Sequence, residues 1–260
     1  MIGNKESVLV VDKDKLFDGD TALFYGFRPA GGVDYRSVIL ASPDFQTHKH
    51  SPNVSNLKNI VVCCFIVNPD TGLLSIYRTD PDNKKHSKYS LLEHSQSNSP
   101  SISDYNLINF GSWSCSYSGH ISHIDPSLKD PLLESRISDL EKGVLLTKTQ
   151  DGEIVDGKIL RSDLLGYIHP PVPKSKDPNL QSALVQEHFV LVYVLQTDAS
   201  SVVKKDARSS QVIDLYSLRE KIRVAELESA RGKTHLSFDN WTKQSMHALA
   251  KYIHDISRKI

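Results

Sequence analysis

Between Phe110 and Val144 the chain passes from a strand-like stretch through a glycine loop into a helix, and that succession constrains the fold more than any other part. Leu133, Ile137, Leu140 and Val144 recur at i, i+4, i+7 and i+11, one narrow stripe of a 3.6-residue period that has to be buried against another layer. Asp130 is placed to cap the helix, and Pro131 stands at the first helical position, where a missing N–H costs nothing. Gly143 sits where helices commonly end, which makes the element about three turns long. Ahead of it Trp113, Cys115 and Tyr117 alternate, which places all three on one strand face, packed in the core.

The strongest strand is Asn59 to Val67, continuous, β-branched and closed by Asn68-Pro69-Asp70-Thr71-Gly72. Its turn leads into Leu73 to Tyr77, so the two pair as a hairpin that Arg78 closes. Val8 to Val11 is apolar on both faces and is expected to be covered. Asp18 to Pro52 reads as loop with a short element at Ser37 to Ala41, and His48 and His50 within it have no third ligand nearby, so they read as solvated. Lys148 to Gly157 reads as a turn, Lys158 to His169 as a strand and Glu187 to Leu195 as another buried strand. Helices are expected at Ser217 to Glu228 and after Asp239, the latter burying Ala248, Leu249, Tyr252, Ile253 and Ile256.

The stretches near 80–104 and 172–185 are polar and read as insertions, with residues 94 to 103 expected to be mobile. The small basic cluster Lys84, Lys85, His86 and Lys88 reads as solvated surface. A chain of 260 residues with 39% hydrophobic content can bury one sizeable core, and the element order points to a single domain spanning residues 1 to 260. Lys plus Arg and Asp plus Glu number 31 each, so no global field argues for nucleic acid or an anionic membrane. Cys63, Cys64 and Cys115 form no Cys-x-x-Cys, and there is neither a signal-peptide pattern nor an apolar run of about 18 residues. A reducing, cytoplasmic setting is the expectation.

The glycine loop and helix resemble the signature of the Nudix superfamily, in which a Gly is followed six residues later by an acid and then by Arg-Glu-apolar-x-Glu-Glu-x-Gly-apolar. Gly119 matches the first glycine, Asp125 the acid, and Arg136, Glu141, Gly143 and Val144 the second half, with a longer spacing from Asp125 to Arg136. Ile137 and Leu140 stand where the pattern has two of its three helix carboxylates, so the box is degenerate. The later pairing of Leu165 to Ile168 with His188 to Tyr193, and the terminal helix opened by Phe238-Asp239-Asn240-Trp241-Thr242, resemble the MutT-like phosphoesterase branch. The resemblance implies an α/β fold, a Nudix-like α/β/α sandwich around a mixed β-sheet.

In that family the helix carboxylates hold divalent cations that polarise a diphosphate and activate water. The resemblance therefore implies metal ligands at Glu134 and Glu141, with magnesium or manganese as the ion, and catalytic roles for Glu141 and Glu187. It implies ligand contacts from Arg78, Gly119, His120, Arg136 and His188; His123, close behind, is a weaker candidate. Glu134 and Glu141 lie about 20° apart on the helical wheel but roughly 10 Å apart along the axis, too far to grip one ion together. Two functions follow: a fold that binds a nucleotide-like small molecule or a protein partner with little or no hydrolysis, or a hydrolase of nucleoside diphosphate derivatives with a rearranged set from Glu134, Glu141, Asp125 and Glu187. The missing carboxylates favour the first. No membrane is expected as partner, and a second copy of the chain is left open as one.

Overall fold

Strand β4 (Leu57–Asn68) is buried at every position after its first, and the rest of the sheet is laid down around it. The computed structural model describes residues 7–18, 23–47, 56–78, 113–170, 188–230 and 238–258. Side chains alternate across a strand, so Ile60, Val62, Cys64 and Ile66 enter one core cluster while Val61, Cys63, Phe65 and Val67 enter another on the opposite face. A strand covered on both sides reads as a continuous apolar run, which is what residues 59 to 67 display. Along one edge of β4, β11 (His188–Thr197) runs parallel, in register from His188 opposite Asn59 to Gln196 opposite Val67. Along the other edge come β1 (Ser7–Asp12), β7 (Ser116–His120) and β5 (Leu73–Arg78), all antiparallel. The sheet is therefore mixed.

Its path continues from β5 to β13 (Ser209–Asp214) on one side and from β11 through β10 (Ile159–His169) to β2 (Gly26–Pro29) on the other. Two short strands extend it, β3 (Asp44–Thr47) on β1 and β6 (Trp113–Ser114) on β5. Helices α1 (Lys13–Leu16), α2 (Tyr35–Ala41) and α3 (Pro131–Gly143) contribute Leu16, Tyr35, Ile39, Leu132, Leu133 and Leu140 to the first cluster. A small sheet of β12 (Ser201–Lys204), β8 (Val144–Gln150) and β9 (Glu153–Asp156) adds Val144 and Val202 to it. Helices α4 (Leu215–Ala230) and α5 (Asn240–Ser257) supply Leu218, Ile222, Ala225, Trp241, Leu249 and Ile253 to the second. The class is α/β. Among the described residues no helix is long and apolar enough to cross a membrane.

Three local expectations are corrected. Cys115 interrupts the path between β6 and β7, so the alternation slips by one: Trp113 and Cys115 join the second cluster, whereas Tyr117 turns into the first. Lys148 to Gly157 is no mere turn, because β8 and β9 pair from Thr147 opposite Asp156 to Gln150 opposite Glu153. Asp151 and Gly152 both take positive φ, 53° and 83°, the geometry of a tight two-residue hairpin that Asp-Gly adopts readily. Within the supposed loop of residues 18 to 52 the short element expected at Ser37 to Ala41 is α2, and β2 and β3 lie there as well. His48, His50, the basic cluster at 84 to 88 and both polar insertions lie outside the described residues.

Helix α5 is tied to the sheet through a buried acid. Asp239 caps it by accepting from the Thr242 N–H at 2.9 Å, while its own N–H donates to the Trp113 carbonyl at 3.0 Å and Ser116 Oγ lies 3.4 Å from its carboxylate. Burial pushes that carboxyl above its usual value.

At the start of β2 and the end of β10, His169 is only 2% exposed and lies between the rings of Phe17 and Tyr25, at 4.9 and 5.0 Å. Its Nδ1–H donates to the Phe24 carbonyl at 2.7 Å. Burial, with Lys58 and Lys13 adding to it, pushes the imidazole down to about 4 from 6.5. The unfolded chain thus binds a proton at this residue between those values and the folded chain does not, so stability rises with pH across that window. Urea unfolding at a series of pH values should show stability fully present above about pH 6.5 and falling towards about pH 4. His169→Phe, which keeps the ring packing, should flatten that slope; an unchanged slope would assign it to other groups.

Candidate functional site

Helix α3 begins as its sequence suggests: Asp130 Oδ1 accepts from the Leu133 N–H at 3.2 Å and Pro131 takes the first turn. The second carboxylate oxygen of Asp130 has two further donors, the Tyr193 hydroxyl at 3.0 Å from β11 and Arg36 Nη1 at 3.2 Å from α2. One side chain thus locks the helix start to the sheet and to α2. Burial, and then the neighbouring Asp130 carboxylate, push the Tyr193 phenol far above its ordinary value, so it stays a donor. Neither Tyr193 nor Arg36 stands out in the sequence, since 63 and 94 residues separate them from Asp130.

The next anchor is Arg136. Its Nη2 donates to the Ser118 carbonyl at 3.0 Å, and the guanidinium lies against Gly119 so closely that a Cβ there would sit 2.7 Å from Nη1. Among the described residues Arg136 Nε, which is buried, has no hydrogen-bond partner. Gly119 and Arg136 are therefore one contact, made possible by the missing side chain. On the same helix Leu133 and Leu140 are each 2% exposed and Ile137 packs against the first cluster, while Val144, expected on the helical stripe, is the 7% exposed first residue of β8. Glu134 is half-buried and Glu141 exposed.

The described carboxylates do not fit one magnesium ion. Glu134 and Glu141 are seven residues apart, roughly 10 Å along the axis. Asp125 is engaged by Ser127, which donates from its N–H at 2.9 Å and its Oγ at 2.7 Å and holds the carboxyl below its usual range. Among the described residues no three His, Cys, Asp or Glu converge in a way that would hold a metal. Glu187 lies outside those residues.

His120 and His188 do come together. They end β7 and open β11 on either side of β4, and their ring centroids are 5.5 Å apart. Strand alternation separates them from the glycine contact: Gly119 stands opposite Val62 and faces α3, whereas His120 stands opposite Val61 and shares the face of α5. Arg78 ends β5 between Trp113 on β6 and Ser209 on β13. His123, three residues past His120, is exposed.

No family model matches the chain, and no curated protein matches it. Among solved structures it is similar to Tm1382, whose crystal structure is described as that of "a putative Nudix hydrolase", with a TM-score of 0.58 over 95% of this chain and 100% of that one at 14% identity. The fold is Nudix-like. At this identity the likeness concerns the fold alone; the glycine expected in a loop, Gly119, lies within β7, opposite Val62.

The anchor between Gly119 and Arg136 makes a specific prediction. Arg136→Ala should lower stability by about 1–2 kcal/mol, and Gly119→Ala by about 1 kcal/mol through displacement of the guanidinium. In the double variant the second change should add almost nothing, because only one contact exists to lose. Additive losses in urea unfolding would show that the two residues do not act through each other.

Proposed function

We propose that this chain is a Nudix-like α/β/α sandwich, a single domain with a degenerate box, that binds a nucleotide-like ligand and hydrolyses it little or not at all. The observation that carries this reading is the burial of Leu140, 2% exposed, and the packing of Ile137 against the core at the two positions where the Nudix pattern places carboxylates. A magnesium or manganese ion is usually held by one or two carboxylates together with substrate phosphates. Glu141, exposed on the last turn of α3 where the nearby Asp139 is paired with Lys142, supports recruitment of an ion already carried by a diphosphate far better than binding of a free one. The ligand would sit at the end of the sheet where Gly119 on β7, held by Arg136 on one face, is followed by His120, which meets His188 on the other; Arg78, opposite Trp113, lies away from that end. Three free, buried thiols at Cys63, Cys64 and Cys115 support a cytoplasmic setting.

Two other readings are outcomes of the same experiment. A panel of nucleoside diphosphate derivatives with magnesium or manganese, read as phosphate release and as thermal shift, should show binding without appreciable turnover. No binding at all would turn attention to a protein partner or a second copy of this chain. Strong magnesium-dependent turnover lost in Glu141→Gln would overturn the proposal in favour of a hydrolase drawing on Glu134, Glu141, Asp125 and Glu187.

A second prediction tests the placement of the helix. Leu140→Asp buries a carboxylate without a partner and should cost about 3 kcal/mol or more in unfolding free energy. For the same reason Ile137→Glu with Leu140→Glu, which rewrites the box, should fail to fold by circular dichroism. A stable double variant that gains magnesium affinity would mean that α3 can present this face to a ligand.

A further inference from the structure

Two imidazoles lean towards each other across the central strand, on the face that carries α4 and α5. His120 stands opposite Val61 and His188 opposite Asn59, and residues 59 and 61 of β4 share one face, so both side chains rise on the same side. Both are half-buried, their ring centroids are 5.5 Å apart and their planes are inclined by 42°. Trp241, at the start of α5, meets His188 edge-on at 6.4 Å and backs the pair.

The spacing decides what two such rings can do together. A single ion bound to two imidazole nitrogens at about 2.0–2.1 Å with a near-tetrahedral angle sets the ring centroids about 5 Å apart. The observed separation of 5.5 Å is close to that value. We propose that His120 and His188 form a two-imidazole site for a divalent transition-metal ion of the zinc, nickel or copper class, with the remaining coordination positions filled by water or an incoming donor. Imidazole nitrogen suits these ions, whereas magnesium prefers oxygen, so this site is chemically distinct from the carboxylates of α3. One nitrogen of each ring suffices, and the other remains able to make the hydrogen bond that orients a ligating histidine. The inference does not rest on nucleotide binding, since the metal alone is the ligand.

Two protein ligands make a weaker site than a closed tetrahedral one, and copper(II) heads the affinity order of this class. The probe is therefore one equivalent of copper(II) added to the full chain. Electron paramagnetic resonance should show hyperfine coupling from two imidazole nitrogens, and His120→Phe or His188→Phe should each reduce the count to one. Phenylalanine keeps a ring against Trp241, so the variants are expected to fold, which circular dichroism checks. The double variant should bind copper at least tenfold more weakly, while His123→Phe should leave the affinity unchanged. Should the phenylalanine variants unfold, paramagnetic nickel(II) titrated into the unmodified chain should broaden the ring protons of His120 and His188 before those of the other histidines. Undiminished copper affinity in a folded double variant, a single nitrogen in the unmodified chain, or broadening that begins at other histidines would overturn the proposal. A nucleotide panel that fails with magnesium leaves the copper result standing.

Discussion

Everything in this structure depends on β4 being covered on both faces and paired on both edges. A strand so placed has no polar side to offer water, and its even and odd residues seed two separate clusters, one under α3 and one under α4 and α5. The parallel partner β11 lies beside it and is equally apolar, with seven consecutive buried residues from Phe189 to Leu195. Parallel pairing of this kind requires a long crossover, and the residues between β4 and β11 supply one that includes α3, strands β8 and β9 of the small sheet, and β10. The position of α3 is thus a consequence of the central pair.

Much of this architecture can be read from pattern alone. The stripe Leu133, Ile137, Leu140 and Val144 demands a helix with one buried side, and the continuous run at residues 59 to 67 demands a strand covered twice. Asp130 and Asp239 were recognisable as caps, and both act so. What escaped was information carried by exceptions or by distance. The slip at Cys115, which turns Tyr117 to the opposite face from Trp113, leaves no mark in an alternating sequence. The hairpin at Asp151-Gly152 did carry its mark, since Asp-Gly between β-branched residues is a strong turn signal, but the polar composition around it masked two exposed strands. Tyr193 and Arg36 meet Asp130 only because the sheet brings β11 and α2 to the head of α3.

The candidate site divides the same way. Gly119 and Arg136 were paired by motif, and they touch because one lacks a side chain where the other needs room. His120 and His188 were separate candidates 68 residues apart, and only the pairing of β7 and β11 on the two edges of β4 shows that they converge. Their separation from Gly119 by strand alternation means that the end of the sheet presents two chemistries, a guanidinium and backbone on one face and imidazoles on the other.

Core packing fixes which face of α3 carries positions 137 and 140. Three contacts set the rotation of this helix about its axis: the Asp130 carboxylate at its first turn, the Arg136 guanidinium against Gly119 in its middle, and the Leu140 side chain in the first cluster near its end. Neighbouring residues in a helix are separated by about 100°, so a turn large enough to bring positions 137 and 140 out to a cleft would withdraw Arg136 from Ser118 and pull the cap away from Tyr193 and Arg36. Carboxylates at those two positions would instead be driven into a cluster of aliphatic and aromatic side chains, where an unpaired charge costs several kcal/mol. The apolar residues at 137 and 140 are therefore coupled to the anchors at 130 and 136. Polar groups at those two positions would be accommodated only if the contacts that fix the helix were rebuilt as well.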